Sequence, residues 1–460
     1  MMHDAADPLS LSPSSPYATW SPLQGNKLIS SCYCHTLVPP SFGQNELNLA
    51  EMIDIALQNN PSTKKTWAQA RETAAQYGQT LSNFYPTINF TSQFTRVKST
   101  FVVFPPPQLS YTTTAGPDVT LSYTLFDFGQ RTAAATAARE ALYHADWMHN
   151  QEIQTTLQTV MNDYYAYAYE QKALKAREAD LANASASLDA ANDRFALGLA
   201  ALGDVAQART QYLQSKINLT SQKQQVENAF ALLAVDLGLP ANVEFKVQPM
   251  PEQVDTNVLL ESVDQLVAAA QAQRQDFLAA QADLRSKEAS IVQARRAVYP
   301  VLSASLDIGK YWFQMGVGED YHWSAELNVN IPLFNGFYYK NAVKQAEAKY
   351  EQAKAALMQS ELGVIQQVTT SHMRVQTSAS NLKDSNEYLK AAELEFDIAL
   401  STYKAGTGTI LDVLKAQSSL VDARAKKAGS ERDWFTALAA LSAASGSLCM
   451  AAPEPVEETK

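Results

Sequence analysis

Phe195-Ala-Leu-Gly198-Leu-Ala-Ala-Leu202-Gly-Asp204-Val205-Ala-Gln-Ala208 and Tyr403-Lys-Ala405-Gly406-Thr-Gly408-Thr-Ile410-Leu-Asp412-Val413-Leu-Lys415-Ala416 repeat one pattern at an offset of 208 residues. In each, an aromatic precedes a glycine and an aspartate follows it. Glycine takes positive φ at no steric cost, so each stretch reads as a tight turn between two helices. Working outward, Leu181, Leu188 and Phe195 recur every seven residues before the first turn, with Ala184 and Ala191 between them. After it, Val205, Tyr212, Leu219, Val226 and Leu233 keep the same spacing. This is a coiled-coil seam whose small positions allow close approach. No proline falls between Gln130 and Ala196, which predicts a helix of about 67 residues, near 100 Å at about 1.5 Å per residue. Gly238 before Pro240 stops the partner helix, and Gly446 lies 208 residues beyond Gly238.

Further out, the period changes. A helix from Leu47 to Phe84, interrupted at Asn60-Pro61, ends at Tyr85-Pro86. Ile88, Phe90 and Phe94 then alternate with Asn89, Thr91, Gln93 and Thr95, as in a strand with one apolar and one polar face. Phe104 to Pro117 reads as a loop, after which Val119, Leu121, Tyr123 and Leu125 resume the alternation. The second half repeats the plan. A helix from Leu259 to Val298 stops at Tyr299-Pro300, and Leu302 to Ile308 alternates. A loop covers Gly316 to Asp320, then Leu327, Val329 and Ile331 alternate again before Leu333-Phe334-Asn335-Gly336. The expected boundaries are a disordered segment 1–45, a first repeat 46–240, a linker 241–256, a second repeat 257–448 and a disordered acidic tail 449–460.

The chain has 460 residues, a net charge of −11 and a pI near 5.1, with no basic stripe, which argues against a nucleic-acid partner. No run of about 18 apolar residues exists, so no spanning helix is expected. Residues 1–45 show no basic start followed by an apolar run, so no export signal is read there. Cys32, Cys34 and Cys449 show no metal-ligand spacing; Cys32 and Cys34 fall in a Ser/Pro-rich stretch read as unstructured. His144 and His149 are read as surface histidines, and Tyr164, Tyr165, Tyr167 and Tyr169 as packing aromatics. No nucleophile–base motif, phosphate loop or zinc motif appears, so neither an enzyme nor a cofactor is expected.

Four strands with one greasy face remain to be covered, and no globular core is left to cover them. In a membrane barrel the apolar faces meet lipid and the polar faces meet water. Four strands do not close a barrel, for which about eight is the practical minimum. Three chains supply twelve. The long helices carry too much Gln, Lys, Glu and Ser for lipid and exceed a bilayer's thickness of about 40–45 Å. The fold class is therefore an α+β membrane protein. A trimeric twelve-stranded barrel, four strands per chain, continues into an α-helical coiled-coil barrel built from two tandem repeats. The rival reading is a soluble trimeric coiled-coil scaffold capped by its hairpins.

At this point the chain resembles the outer membrane efflux (TolC-like) family over about residues 46–448. The resemblance rests on the twofold repeat, Tyr85-Pro86, Tyr299-Pro300, Leu333-Phe334-Asn335-Gly336 and the two glycine-turn-aspartate stretches. It implies a homotrimer in the bacterial outer membrane, embedded in lipid, with a helical tunnel in the periplasm. That trimer would be a passive exit duct for a tripartite efflux pump or a type I secretion system. Its partners would be a periplasmic adaptor and an inner-membrane transporter of RND, ABC or MFS type. It also implies that the second repeat forms the inner, gating coiled coil. Tyr403 and Asp412 would hold the entrance closed and line it, and Asp204 would bond across to that pair. The family's arginine is replaced by Gly408 and its second aspartate by Lys415, which would sit one turn from Asp412. Both aspartates also sit where a carboxylate caps a helix. Asp412 is read as lining the pore, and Asp204 stands evenly between cap and link. Leu197, Gly198, Ala405 and Gly406, on the exposed turns, are the expected adaptor contacts.

Overall fold

The computed structural model describes residues 12–13, 15–20, 46–101, 108–250, 262–313 and 318–449. In chain order the elements are β1 (Glu46–Leu47), α1 (Leu49–Asn59), α2 (Pro61–Leu81), β2 (Thr87–Phe101), β3 (Gln108–Phe126), α3 (Gln130–Ala196), α4 (Leu202–Asp236) and β4 (Lys246–Val247). The second half supplies α5 (Val263–Gln273), α6 (Gln275–Arg296), β5 (Val301–Phe313), β6 (Gly318–Asn330), α7 (Tyr338–Ala405) and α8 (Ile410–Ser445). They fall into two compact units. One holds Gln69–Asp146 and Ala279–Met358 with Met1–Ser14; the other holds Ser15–Ala68, Trp147–Leu278 and Gln359–Lys460.

The first unit is built on a four-stranded antiparallel sheet in the order β2-β3-β5-β6. Each repeat contributes a hairpin, and β3 pairs with β5 to join them. The alternation read from the sequence appears as two faces. On the apolar face Ile88 is 68% exposed and Trp323 75%, with Phe90, Phe94 and Leu327 similarly bare. On the other face Thr120 donates to Asp307 at 2.6 Å, and His322 lies across Gly309 to within 3.4 Å of Asp118. An apolar face left so bare needs a non-aqueous neighbour. Tyr77 and Leu81 of α2 pack on Ala135 and Leu142 of α3 beside it. Asp127 starts α3 by accepting from the amides of Gly129 and Arg131.

The expected loop up to Pro117 is corrected. β3 already runs from Gln108, and Gly116 and Pro117 pair with Gln93 and Ser92 inside it. Gly116 marks a close approach rather than a turn, because a Cβ there would lie 1.9 Å from the carbonyl oxygen of Lys310. Likewise Gly318–Asp320 belongs to β6. Residues 104–107 and 316–317 lie outside the described residues.

The second unit is helical. Its main core joins α1, α3, α4 and the short parallel β1–β4 pair: Met52, Ile55, Val160, Tyr164, Leu233 and Phe245 are buried together. Tyr165 stacks on Phe435 at 5.0 Å, so these tyrosines pack, as expected. Gly238 and Gly446 end α4 and α8 at φ +75° and +80°. Of the residues on the seven-residue spacing, Ala184, Ala191 and Leu233 are buried, while Leu181 and Leu188 are only half-buried.

Three further expectations change. The helix expected from Leu259 to Val298 breaks at Arg274, whose side chain turns back to Asp276 (2.6 Å) and to the carbonyl of Ala444 (3.4 Å). This is the counterpart of Asn60, without a proline to announce it. His149 is fully buried, with Nδ1 3.0 Å from the Thr66 hydroxyl, and is no surface histidine. Residues 15–20, within the segment expected to be disordered, are placed. The Trp20 amide donates to Asn150 (2.7 Å), its carbonyl accepts from the same amide group (2.6 Å), and its ring meets Trp147 edge-on. Residues 1–11, 14, 21–45, 251–261 and 450–460, which include Cys32, Cys34, part of the linker and most of the tail, lie outside the described residues.

Candidate functional site

The two turns lie in the second unit, over one apolar cluster. Ala190 and Ala191 of α3, Ala208 of α4, Phe396 and Tyr403 of α7, and Ile410, Val413 and Ala416 of α8 are buried in it. Alanines on three helices bring the backbones close, and the aromatic rings of α7 fill what space remains.

The second turn is closed on itself. Gly406 takes φ +87°, its amide donates to the carbonyl of Tyr403 (3.0 Å), and the amides of Thr407 and Gly408 both donate to the carbonyl of Thr402. Gly408 is closely packed: a Cβ would lie 2.9 Å from the Thr402 hydroxyl and 3.1 Å from the Tyr403 nitrogen, so a side chain there needs its neighbours to shift by a few tenths of an ångström. Thr409 then opens α8 as a capping box. Its side chain accepts from the amide of Asp412 (3.3 Å), and Asp412 Oδ2 accepts from the Thr409 amide (3.2 Å) and hydroxyl (2.7 Å). The hydroxyl and then the amide of Thr409 hold the Asp412 carboxyl below its usual range, and the charge of Lys415 adds to this. Lys415 is exposed.

The first turn shares the glycine geometry and little else. Gly198 takes φ +72°, and a Cβ there would meet nothing within 4 Å. Ala201 caps α4 and offers no side-chain acceptor. Leu197 is 73% exposed, Leu199 65%, and Leu202 is equally bare. Asp204 is half-buried in the first turn of α4.

Within one chain no hydrogen bond joins Asp204 to Tyr403 among the described residues. Among the described residues the Tyr403 hydroxyl is buried without a hydrogen-bond partner, and the residue is 1% exposed, packed rather than lining a surface of this chain. Burial, and then the charge of Asp204, push its phenol above the ordinary tyrosine range. The direct contact comes from Arg194, near the end of α3. Nη1 donates to the Tyr403 carbonyl, Nη2 donates to the carbonyl of Leu199 (3.2 Å), and the guanidinium lies 4.6 Å from the centre of the Tyr403 ring. Arg194 stands one residue before the aromatic of the first copy, where the second copy has Thr402. That break in the repeat was its one signal in the sequence. Ala405 and Gly406 are exposed, as are Leu197 and Gly198. Among the described residues no group of His, Cys, Asp and Glu is arranged to hold a metal, and no helix is long and apolar enough to cross a membrane.

The chain matches the family described as outer membrane efflux protein over residues 52–239 and 266–447. It is 28% identical over 426 residues to Protein CyaE of Bordetella pertussis, covering 89% of this chain and 86% of that protein. It is 23% identical to Outer membrane protein TolC of Salmonella enteritidis over 82% of this chain and 77% of that one. Its fold superposes on the outer membrane protein VceC of Vibrio cholerae with a TM-score of 0.76 at 21% identity, covering 86% of this chain and 96% of VceC.

Proposed function

Because the chain belongs to the outer membrane efflux protein family, we propose that three copies close one twelve-stranded barrel in the outer membrane. The observation that carries this reading is the open sheet. Among the described residues of one chain β2 and β6 each have a strand on one side alone, and a bare edge is a template for another strand. The face they carry is greasy enough for lipid, with Ile88, Phe90, Trp323 and Leu327 outward. A soluble scaffold would leave that face in water, and nothing in the family or the fold favours it.

In this reading α3, α4, α7 and α8 form a periplasmic conduit that lets cargo pass without chemistry of its own. The turns are its closed end. Tyr403, with Asp204 acting on it, holds α7 shut. Asp412 and Lys415 lie on the exposed face of α8, where three copies would come together around one axis. Leu197, Gly198, Ala405 and Gly406 receive a periplasmic adaptor, and an inner-membrane transporter of RND, ABC or MFS type supplies the cargo. The chain, purified from membranes in detergent and added to a planar bilayer, should give discrete conductance steps. Recovery in the soluble fraction without detergent, or a bilayer that stays silent, would overturn the duct.

A further inference from the structure

A guanidinium near a helix end ordinarily satisfies the carbonyls of that helix. Arg194 does something else. Its donors go to Leu199, beyond the end of α3, and to Tyr403, in the last turn of α7. Leu199 in turn donates its own amide to the carbonyl of Arg194 at 2.8 Å. The first turn thus grips Arg194 from both sides while Arg194 grips the second by carbonyl and ring. Two helix C-termini, each carrying partial negative charge, meet on one cation. The Tyr403 carbonyl also accepts from Gly406, so the clasp acts on the residue that begins the second turn. Leu199 is at once the most direct tie to Arg194 and one of the bare leucines of the first turn.

We propose that Arg194 is the coupling residue between the two turns: a partner that moves Leu199 withdraws the guanidinium from Tyr403 and frees the end of α7. This rests on the gate reading above. Arg194 is a positioning residue here and touches no cargo. Lysine would keep the charge but neither the planar fork nor both bonds at once.

A double-mutant cycle tests it, read by hydrogen exchange on the full chain in detergent. Gly198→Ala strains the first turn at its positive φ without a clash. In the native background it should speed exchange of the amides in 402–409 as well as 195–201, by about tenfold, the scale of one lost charged hydrogen bond. In an Arg194→Gln background, 402–409 should already exchange fast, and Gly198→Ala should add nothing there. If the glutamine variant does not fold, Arg194→Lys runs the same cycle. Equal effects of Gly198→Ala on 402–409 in both backgrounds, or none in the native one, would overturn the coupling. The gate itself is tested separately, by the conductance of Tyr403→Ala. Additive exchange with a widened Tyr403→Ala channel sinks the coupling and leaves the gate standing. Coupled exchange with unchanged conductance sinks the gate reading.

Discussion

At the second turn, Thr409 and Asp412 cap each other, two amides converge on the carbonyl of Thr402, and Tyr403, Ile410 and Val413 are buried beneath. At the first, the capping residue is Ala201, the glycine has open space around it, and three leucines face outward. The same glycine-to-aspartate spacing has thus been built into two different objects. One satisfies its own groups and resists change. The other leaves apolar surface unmet, as a surface awaiting a partner does. In the reading proposed above, that difference fits a latch in the second repeat and a docking face that draws its bare apolar surface from the first.

The largest expected effect comes from deleting what only the second turn has. Tyr403→Ala removes a buried aromatic and should cost about 3–5 kcal/mol, seen as a lowered midpoint in a thermal melt of the helical signal. Leu199→Ser, on the bare turn, should stay within about 0.5 kcal/mol of native. Similar losses in both would erase the distinction between the turns. Tyr403→Phe should also be nearly neutral, since the hydroxyl has no hydrogen-bond partner among the described residues.

The caps give a smaller and more local contrast. Thr409→Ala should cost about 1 kcal/mol and Ala201→Asp should gain a similar amount, read as opposite changes in amide exchange at the starts of α8 and α4. Acid should act like the first substitution. The Asp412 carboxyl is held below its usual range in the folded chain, so its contribution is present above the unfolded value near 3.9 and is lost as pH falls through the lower, folded one. As pH falls through that lower value the start of α8 should fray, whereas α4 has no such cap to lose.

Much of the fold was legible in the sequence because it is periodic. The offset of 208 residues, the seven-residue seam and the alternating strands are repeating signals, and the structure carries each of them. The two turn glycines were legible for a related reason, since both take positive φ. What escaped was aperiodic. Arg194 binds carbonyl groups, which leave no mark in a sequence, and one of them is 209 residues away. Arg274 breaks a helix through its side chain rather than through a proline. Gly116-Pro117 looks like a turn until the neighbouring strand is seen pressing on it. The aspartates differ in a way the spacing did not show: Asp412 completes a capping box with Thr409, whereas Asp204 has no such partner at the start of α4. Three residues before Asp412 stands Thr409, and before Asp204 stands Ala201; that pair of residues held the answer.

The most direct measurement is single-channel conductance of Tyr403→Ala beside Leu199→Ser in the same planar bilayer. If the second turn is the latch, Tyr403→Ala should open a channel severalfold more conductive than native, by the loss of a buried side chain that holds α7 in place, and Leu199→Ser should conduct as the native chain does. A widened Leu199→Ser channel beside an unchanged Tyr403→Ala channel would place the latch on the wrong turn.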